Sequence, residues 1–271
     1  MKERQENMSD DPQIVQSASL ASGNTQIGVQ HNHYGISAEE ATRILMNLFL
    51  DNFPRLQQLA AETAKQRAEE LCQETIDKLY KNGINDYSAF GDPDVQYAFW
   101  EAQKNYARFG KQEMLENISS LIASRVKYNS EDYIKIVLDQ ALSVVGLLSQ
   151  EQLDYLSLLF LIKCVKFNSI RSIDELKDTL NRWNQSFKPG SVSSISLLNS
   201  LGCLEINIGN ASKVLAKTYG FPEDQIKIIC PDDIEKLDHD YGPTQIGMVL
   251  SIVNIENKTD ERFNIETWVR L

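Results

Sequence analysis

Residues 131–167, EDYIKIVLDQALSVVGLLSQEQLDYLSLLFLIKCVKF, are the most apolar part of this chain, and the class of fold follows from them. Their apolar residues do not alternate as in a half-buried strand. They recur at helical spacing and spill onto neighbouring positions: Ile134, Ile136, Val137, Leu138, Ala141, Leu142, Val144 and Val145, then Leu156, Leu158, Leu159, Phe160, Leu161 and Ile162. Ser130 and Ser149 are N-cap residue types, so the stretch divides into helices over 131–148 and 150–167. Helices that are apolar on nearly every side belong at the centre of a bundle. The pair is expected to form the core hairpin of a mainly α protein.

The same rules extend outward in both directions. Asp92-Pro93 starts a helix with the stripe Val95, Ala98, Phe99, Ala102, Tyr106 and Phe109, and Gly110 ends it. The spacing of Leu115, Ile118, Leu121, Ile122 and Val126 predicts a helix over 111–128. Upstream, Ser37-Ala38-Glu39-Glu40 reads as a capping box, with Ala41, Ile44, Leu45, Leu48 and Phe49 behind it. Pro54 is expected to kink or restart that helix, which then runs over 55–82 and stops at Gly83. Ala60, Ala64 and Ala68 form a small-residue stripe in it, suited to a close seam within the chain or between two copies. Beyond Asn168, helices are expected over 173–187, 191–200, 211–219 and 243–255, with a short strand within 201–207. An acidic, poorly patterned stretch covers 221–241, and 263–271 is a short amphipathic tail. The organisation that follows is a disordered tail (1–24), a β self-association segment (25–36), a helical bundle (37–170) and a smaller α-rich C-terminal subdomain (171–271).

Composition narrows the partners. Hydrophobic residues at 42% and charged residues at 24% are ordinary for a soluble globular protein. The formal net charge of −11 argues against a general phosphate-backbone binder, so nucleic acid is not an expected partner. Cys72, Cys164, Cys203 and Cys230 form no CxxC pair and each adjoins an apolar residue, which predicts buried, reduced thiols in a cytosolic protein. Residues 1–12 are polar and charged, unlike a signal peptide. The apolar run 156–162 is far shorter than the roughly 20 residues a membrane span needs. The expectation is a cytoplasmic protein without a membrane partner.

Catalytic signatures are lacking. Neither GxxxxGK[ST], GxGxxG, GxSxG nor HExxH occurs. His31-Asn32-His33 spells HNH without the separated ligands and ββα frame that a nuclease of that name requires, and His239 is remote in sequence. Asp232, Asp233, Glu235, Asp238 and Asp240 lack metal-loop spacing and read as a solvated acidic surface. No catalytic residue, cofactor or metal site is assigned, and the chain reads as a non-enzyme. The alternative is a small-ligand sensor or enzyme with a site between helices near 86–100, where Tyr87, Phe90, Tyr97, Phe99 and Trp100 gather. A helix–loop–helix core contact explains those aromatics more simply.

One segment stands apart. Residues 22–36, SGNTQIGVQHNHYGI, carry no charge and no proline. Alternation puts Ile27, Val29, His31 and His33 on one side of an extended chain, and Gln26, Gly28, Gln30, Asn32 and Tyr34 on the other. Such a composition suits stacking on copies of itself. The stretch 25–35 resembles the core of the RIP homotypic interaction motif and related amyloid-signalling motifs, with Thr25 where Ile or Val is commoner. The resemblance implies self-association through Gln26, Ile27, Gly28, Val29, Gln30, Asn32 and Tyr34: amide ladders from Gln26, Gln30 and Asn32, a dry zipper from Ile27 and Val29, and a bend at Gly28. A homo-oligomer follows, or a protein partner bearing a similar β motif. A strand in a closed oligomer, an open-ended amyloid and a free linker all remain open.

Two further likenesses involve the helical part. The Gly/Asn-rich start, the capping-box helix with Asn52-Phe53-Pro54, and the pattern AxxxAxxRAEE from Ala60 to Glu70 are similar to an uncharacterised bacterial all-helical family. That similarity implies a bacterial protein associated with phage defence or mobile elements. A helix ending at Leu201-Gly202, the apolar strand after it, and Thr244-Gln245-Ile246-Gly247 later resemble winged-helix modules. They imply a regulatory alternative, although 203–241 is acidic on balance, which disfavours DNA readout.

Overall fold

The computed structural model describes residues 38–128, 133–189, 195–207, 209–235, 237 and 240–269. In chain order these form α1 (Ala38–Lys81), a 3-10 turn (Ser88–Gly91), α2 (Pro93–Phe109), α3 (Gln112–Val126), α4 (Tyr133–Val145), α5 (Gln150–Lys163), α6 (Ile173–Ser186), α7 (Ile195–Ser200) and β1 (Leu204–Ile206). Then follow α8 (Ala211–Tyr219), α9 (Glu223–Ile229), α10 (Asp232–Glu235), β2 (Tyr241–Pro243), α11 (Gln245–Lys258) and α12 (Ile265–Val269). The fold is mainly α. The chain divides into two compact units, 1–53 and 54–271. The described part of the first is the leading segment of α1. The second holds every other element.

Local chemistry sets most helix ends where the sequence predicts them. The Asp92 carboxylate accepts from the Asp94 amide at 2.8 Å, with Pro93 in the first turn. Ser149 with Gln152, and Ser172 with Glu175, form reciprocal capping boxes on α5 and α6. At the end of α1, Gly83 adopts φ 73°; its amide donates to Tyr80 O while the Ile84 amide reaches Leu79 O. These two bonds satisfy carbonyls that the helix leaves open, and the left-handed residue between them favours glycine.

Other boundaries differ from expectation. α1 does not restart at Pro54 but runs through it from Ala38 to Lys81. The proline removes one backbone donor, a loss that the helical bonds on either side evidently outweigh. α5 stops at Lys163 instead of continuing to 167. The acidic stretch 221–241 contains two short helices, α9 and α10. Residues 241–243, assigned by pattern to the loop and the start of the last helix, form β2, antiparallel to β1 with Leu204 opposite Pro243 and Ile206 opposite Tyr241. In this two-stranded sheet β2 is an edge strand, where the missing donor of Pro243 is tolerated.

The largest departure concerns the core. α5 is buried continuously from Gln152 to Ile162, as its all-round apolarity predicts. α4 is one-sided, leaving Tyr133 and Ile136 exposed. The two do not form the expected hairpin seam: α11 packs along both of them, and α3 covers α4. α11 therefore occupies the centre, with Val249 to Ile255 buried without interruption. The first turn of α11 passes close to the residue before β1: at Gly247 an added Cβ would lie 2.2 Å from the Cys203 carbonyl oxygen. An aromatic cluster closes one side of α5. Phe160 meets Phe263 and Trp268 edge-to-face at centroid distances of 5.4 and 5.0 Å, and Phe167 packs on Trp183 at 5.7 Å.

α1 runs antiparallel to α2 over its later turns. The Arg67 guanidinium donates to Ala107 O at 2.7 Å, the Tyr106 hydroxyl to Glu70 at 3.0 Å, and the Gln103 amide to the Cys72 sulfur at 3.8 Å. Arg67 thereby places a cation on the final carbonyls of α2, where the helix dipole favours it. Leu71, Thr75 and Leu79 bury this side of α1. The alanine stripe is covered only in part, Ala64 and Ala68 half-buried and Ala60 exposed. No helix among the described residues is long and apolar enough to cross a membrane.

Candidate functional site

The self-association residues Gln26, Ile27, Gly28, Val29, Gln30, Asn32 and Tyr34 lie outside the described residues, as do His31, His33 and His239. The capping residue Ser37 does too. Among the described residues no group of three or more His, Cys, Asp or Glu side chains is placed to hold a metal ion.

The aromatics of 86–100 divide by the face of α2 on which they fall. Phe90 and Phe99 are partly buried and meet edge-to-face at 6.1 Å. Tyr97 and Trp100 are 64% and 54% exposed, and the Lys104 ammonium lies 4.8 Å from the Trp100 ring centroid. Neither cavity described below draws a lining residue from this stretch.

A polar cavity of about 710 Å³ opens where the end of α1 meets α3 and the segment joining α11 to α12. Lys78 and Lys81 come from the last turn of α1, Ser120 and Ser124 from α3, Lys127 from the turn after it, and Arg262 from the loop after α11. Asn257 organises its floor. Its side-chain oxygen accepts from the Lys78 ammonium at 2.8 Å and the Ser120 hydroxyl at 3.1 Å, while its amide donates to the buried Asn117 at 3.0 Å. Arg262 is pinned by one guanidinium nitrogen that donates to the carbonyls of Glu256, Thr259 and Glu261. The lining carboxylate of Glu256 is occupied by the Phe263 amide at 3.0 Å.

Charge in this cavity is unbalanced. Among the described residues Lys78, Lys81, Lys127 and Arg262 take part in no salt bridge. Burial pushes the Lys78 ammonium below its ordinary pKa, while the charges of Glu74 and Glu116 pull it back up. Sequence inspection finds none of this, since the four cations are scattered between positions 78 and 262 with no local run.

A second cavity, about 640 Å³, lies beside the β1–β2 ribbon and is lined in part by Tyr133, Cys164, Glu205 and Trp268. Burial pushes the Cys164 thiol up to about 12, the opposite of what a nucleophilic thiolate requires. The thiols are not uniformly buried, contrary to expectation. Cys203 and Cys230 are buried, Cys164 is half-buried and Cys72 is exposed beside Gln103. Burial also raises the Cys203 and Cys230 thiols to about 12. A thiol reagent applied to the folded protein near about pH 8 is expected to label Cys72 first and Cys164 slowly, with Cys203 and Cys230 reacting only on unfolding. Mass spectrometry of a labelling time course checks the order; equal rates at Cys72 and Cys203 would contradict the burial.

The polar centre of the fold is Asp154, an acid inside the continuously buried helix α5. Its side chain is 2% exposed. It accepts from the Lys258 ammonium at 2.7 Å on both oxygens, from Asn254 at 3.0 Å, Gln150 at 2.8 Å and the Lys188 backbone amide at 2.8 Å. Asn254 also donates to Ser157 at 2.9 Å. These bonds tie α5 to α11 and to the chain after α6. Asp154 is fully engaged by fixed donors and joins these elements.

A model of an uncharacterised protein family matches residues 35–239, well over half of the chain. Neither a curated protein nor a solved structure matches it.

Proposed function

The chain belongs to that uncharacterised family, and on this premise we propose that it is a non-enzymatic assembly or signalling module whose copies associate through the N-terminal β segment. The observation that supports this most is the state of α1. From Thr42 to Thr63 every described side chain is exposed, and these include the apolar Ile44, Met46 and Leu59. A long helix gains most of its stability from packing an apolar face, so this length calls for a partner. The partner is a second copy. A homotypic strand at 25–36 pairs with its own kind, and the helix starting at Ala38 follows it directly, so strand pairing delivers two identical helix starts side by side.

The likeness to RIP-homotypic-interaction and amyloid-signalling motifs suggests recruitment as the output, and the resemblance to a bacterial family suggests defence against phage as the setting.

Light scattering after size separation tests this on the full chain. The native protein is expected to run as an oligomer. Ile27→Pro combined with Val29→Pro, which removes two strand donors, is expected to shift it toward the monomer without changing helix content. Leu59→Glu is expected to weaken the oligomer further. An unchanged molar mass in the proline variant would remove the mechanism.

A further inference from the structure

We propose that the cleft between the end of α1, α3 and the loop after α11 binds a small phosphate-bearing molecule with at least two negative charges, of nucleotide size. This inference does not depend on the assembly reading. Its first support is charge. In a chain of net charge −11, Lys78, Lys81, Lys127 and Arg262 converge on one cavity from separate elements, with none of them neutralised by a salt bridge among the described residues. Gathering like charges costs free energy that a bound anion recovers. Two carboxylates also line the cleft, Glu256 and Glu266, and Glu74 and Glu116 lie near Lys78. Glu256 is held on the Phe263 amide.

The second support is how Lys78 is built in. It is half-buried, and one of its three N–H donors is spent on Asn257, whose own orientation is set by Ser120 and the buried Asn117. Among the described residues the other two have no protein acceptor. A desolvated ammonium with unused donors, held in place by a fixed amide, is an anion contact prepared in advance. The hydroxyls of Ser120 and Ser124 add neutral donors on the α3 side.

The third support is size and lining. About 710 Å³ falls within the range of small-molecule sites, roughly 300–1,000 Å³. Phosphate oxygens match several separated cations better than a single carboxylate does. The rings of Tyr128 and Phe263 in the same lining offer an apolar wall for a base or other flat group. A ligand bridging Lys78 and Lys81 to Lys127 would clamp the last turn of α1 onto α3.

Calorimetric titration of the full chain with ATP, pyrophosphate, inorganic phosphate and sulfate, at matched ionic strength, tests the site. ATP and pyrophosphate are expected to bind saturably and to raise Tm, with phosphate and sulfate at least about tenfold weaker. Tighter binding of ATP than of pyrophosphate would show that the nucleoside is also held. Lys81→Gln with Lys127→Gln, both exposed side chains, is expected to cut affinity at least about tenfold. Ligand-free Tm should stay unchanged in that variant. Lys213→Gln with Lys217→Gln, on α8, should leave affinity as it was. No saturable binding of ATP or pyrophosphate at millimolar concentration would overturn the proposal. So would sulfate binding as tightly as pyrophosphate, or a loss of affinity in the α8 variant but not in the cleft variant.

Discussion

Asp154→Ala is expected to destabilise the protein by about 3–5 kcal/mol, the usual cost of removing one partner of a buried ion pair. At about 2–4 °C per kcal/mol for a domain of this size, Tm should fall by roughly 6–20 °C. The loss has three parts. Lys258, whose side chain is only 27% exposed, keeps a charge with no counter-ion. The Lys188 amide loses its acceptor, and Asn254 and Gln150 lose a shared one. Asp154→Asn keeps the volume but turns an NH2 group toward groups that are themselves donors, so its cost should approach that of alanine. Lys258→Met keeps the aliphatic chain near the Phe187 ring and removes the charge. The double variant Asp154→Ala, Lys258→Met should therefore cost less than the sum of the single variants. Thermal and urea unfolding measure all four. A cost under about 1 kcal/mol for Asp154→Ala would mean that α5 and α11 are not joined through this carboxylate.

Phe160→Ala is the second large effect, at about 3–5 kcal/mol for deleting a buried aromatic side chain. Phe160 is fully buried, and its ring is the platform on which Phe263 and Trp268 pack. The two variants should differ in where the damage appears. Removing Asp154 loosens α5 from α11 and the chain near Lys188. Removing Phe160 leaves a cavity under the C-terminal segment, so amide exchange over 263–269 should rise well before the core of α11 is affected. Phe160→Leu refills most of the volume and should recover much of the loss. Uniform acceleration of exchange in Phe160→Ala, with no excess over 263–269, would contradict this division.

Legibility differed between parts of the chain for physical reasons. Helix starts at Asp92 and Ser149 are readable because a cap is a contact within one turn. The end of α1 at Gly83 was readable for the same reason. Pro54 was misleading: the local rule registers the lost donor but not the stability of the helix around it. β2 escaped because its three residues acquire their conformation from pairing with β1, nearly forty positions away. Because each cysteine adjoins an apolar residue, the local pattern predicts uniform burial. Exposure depends on which helix face points inward, and Cys72 lies on the outer one.

The site was less legible than the fold. Asp154 is the buried acid of α5, and its four donors come from α5, α11 and the chain after α6. The cleft cations fall on three elements, and no spacing rule connects Lys78 with Lys127 or Arg262.

From its own residues the chain specifies a mainly α protein, most of its helix boundaries, and α5 as a fully buried helix. Each of these rests on periodicity or on contacts within a turn, and both are local properties. Three-dimensional packing specifies the rest. It sets α11, not α4, along the buried length of α5, where Lys258 and Asn254 meet Asp154. It also gathers four scattered cations around one cavity in an acidic protein. Complementarity between surfaces far apart in the chain is a property of pairs, and it appears only when both members are in place.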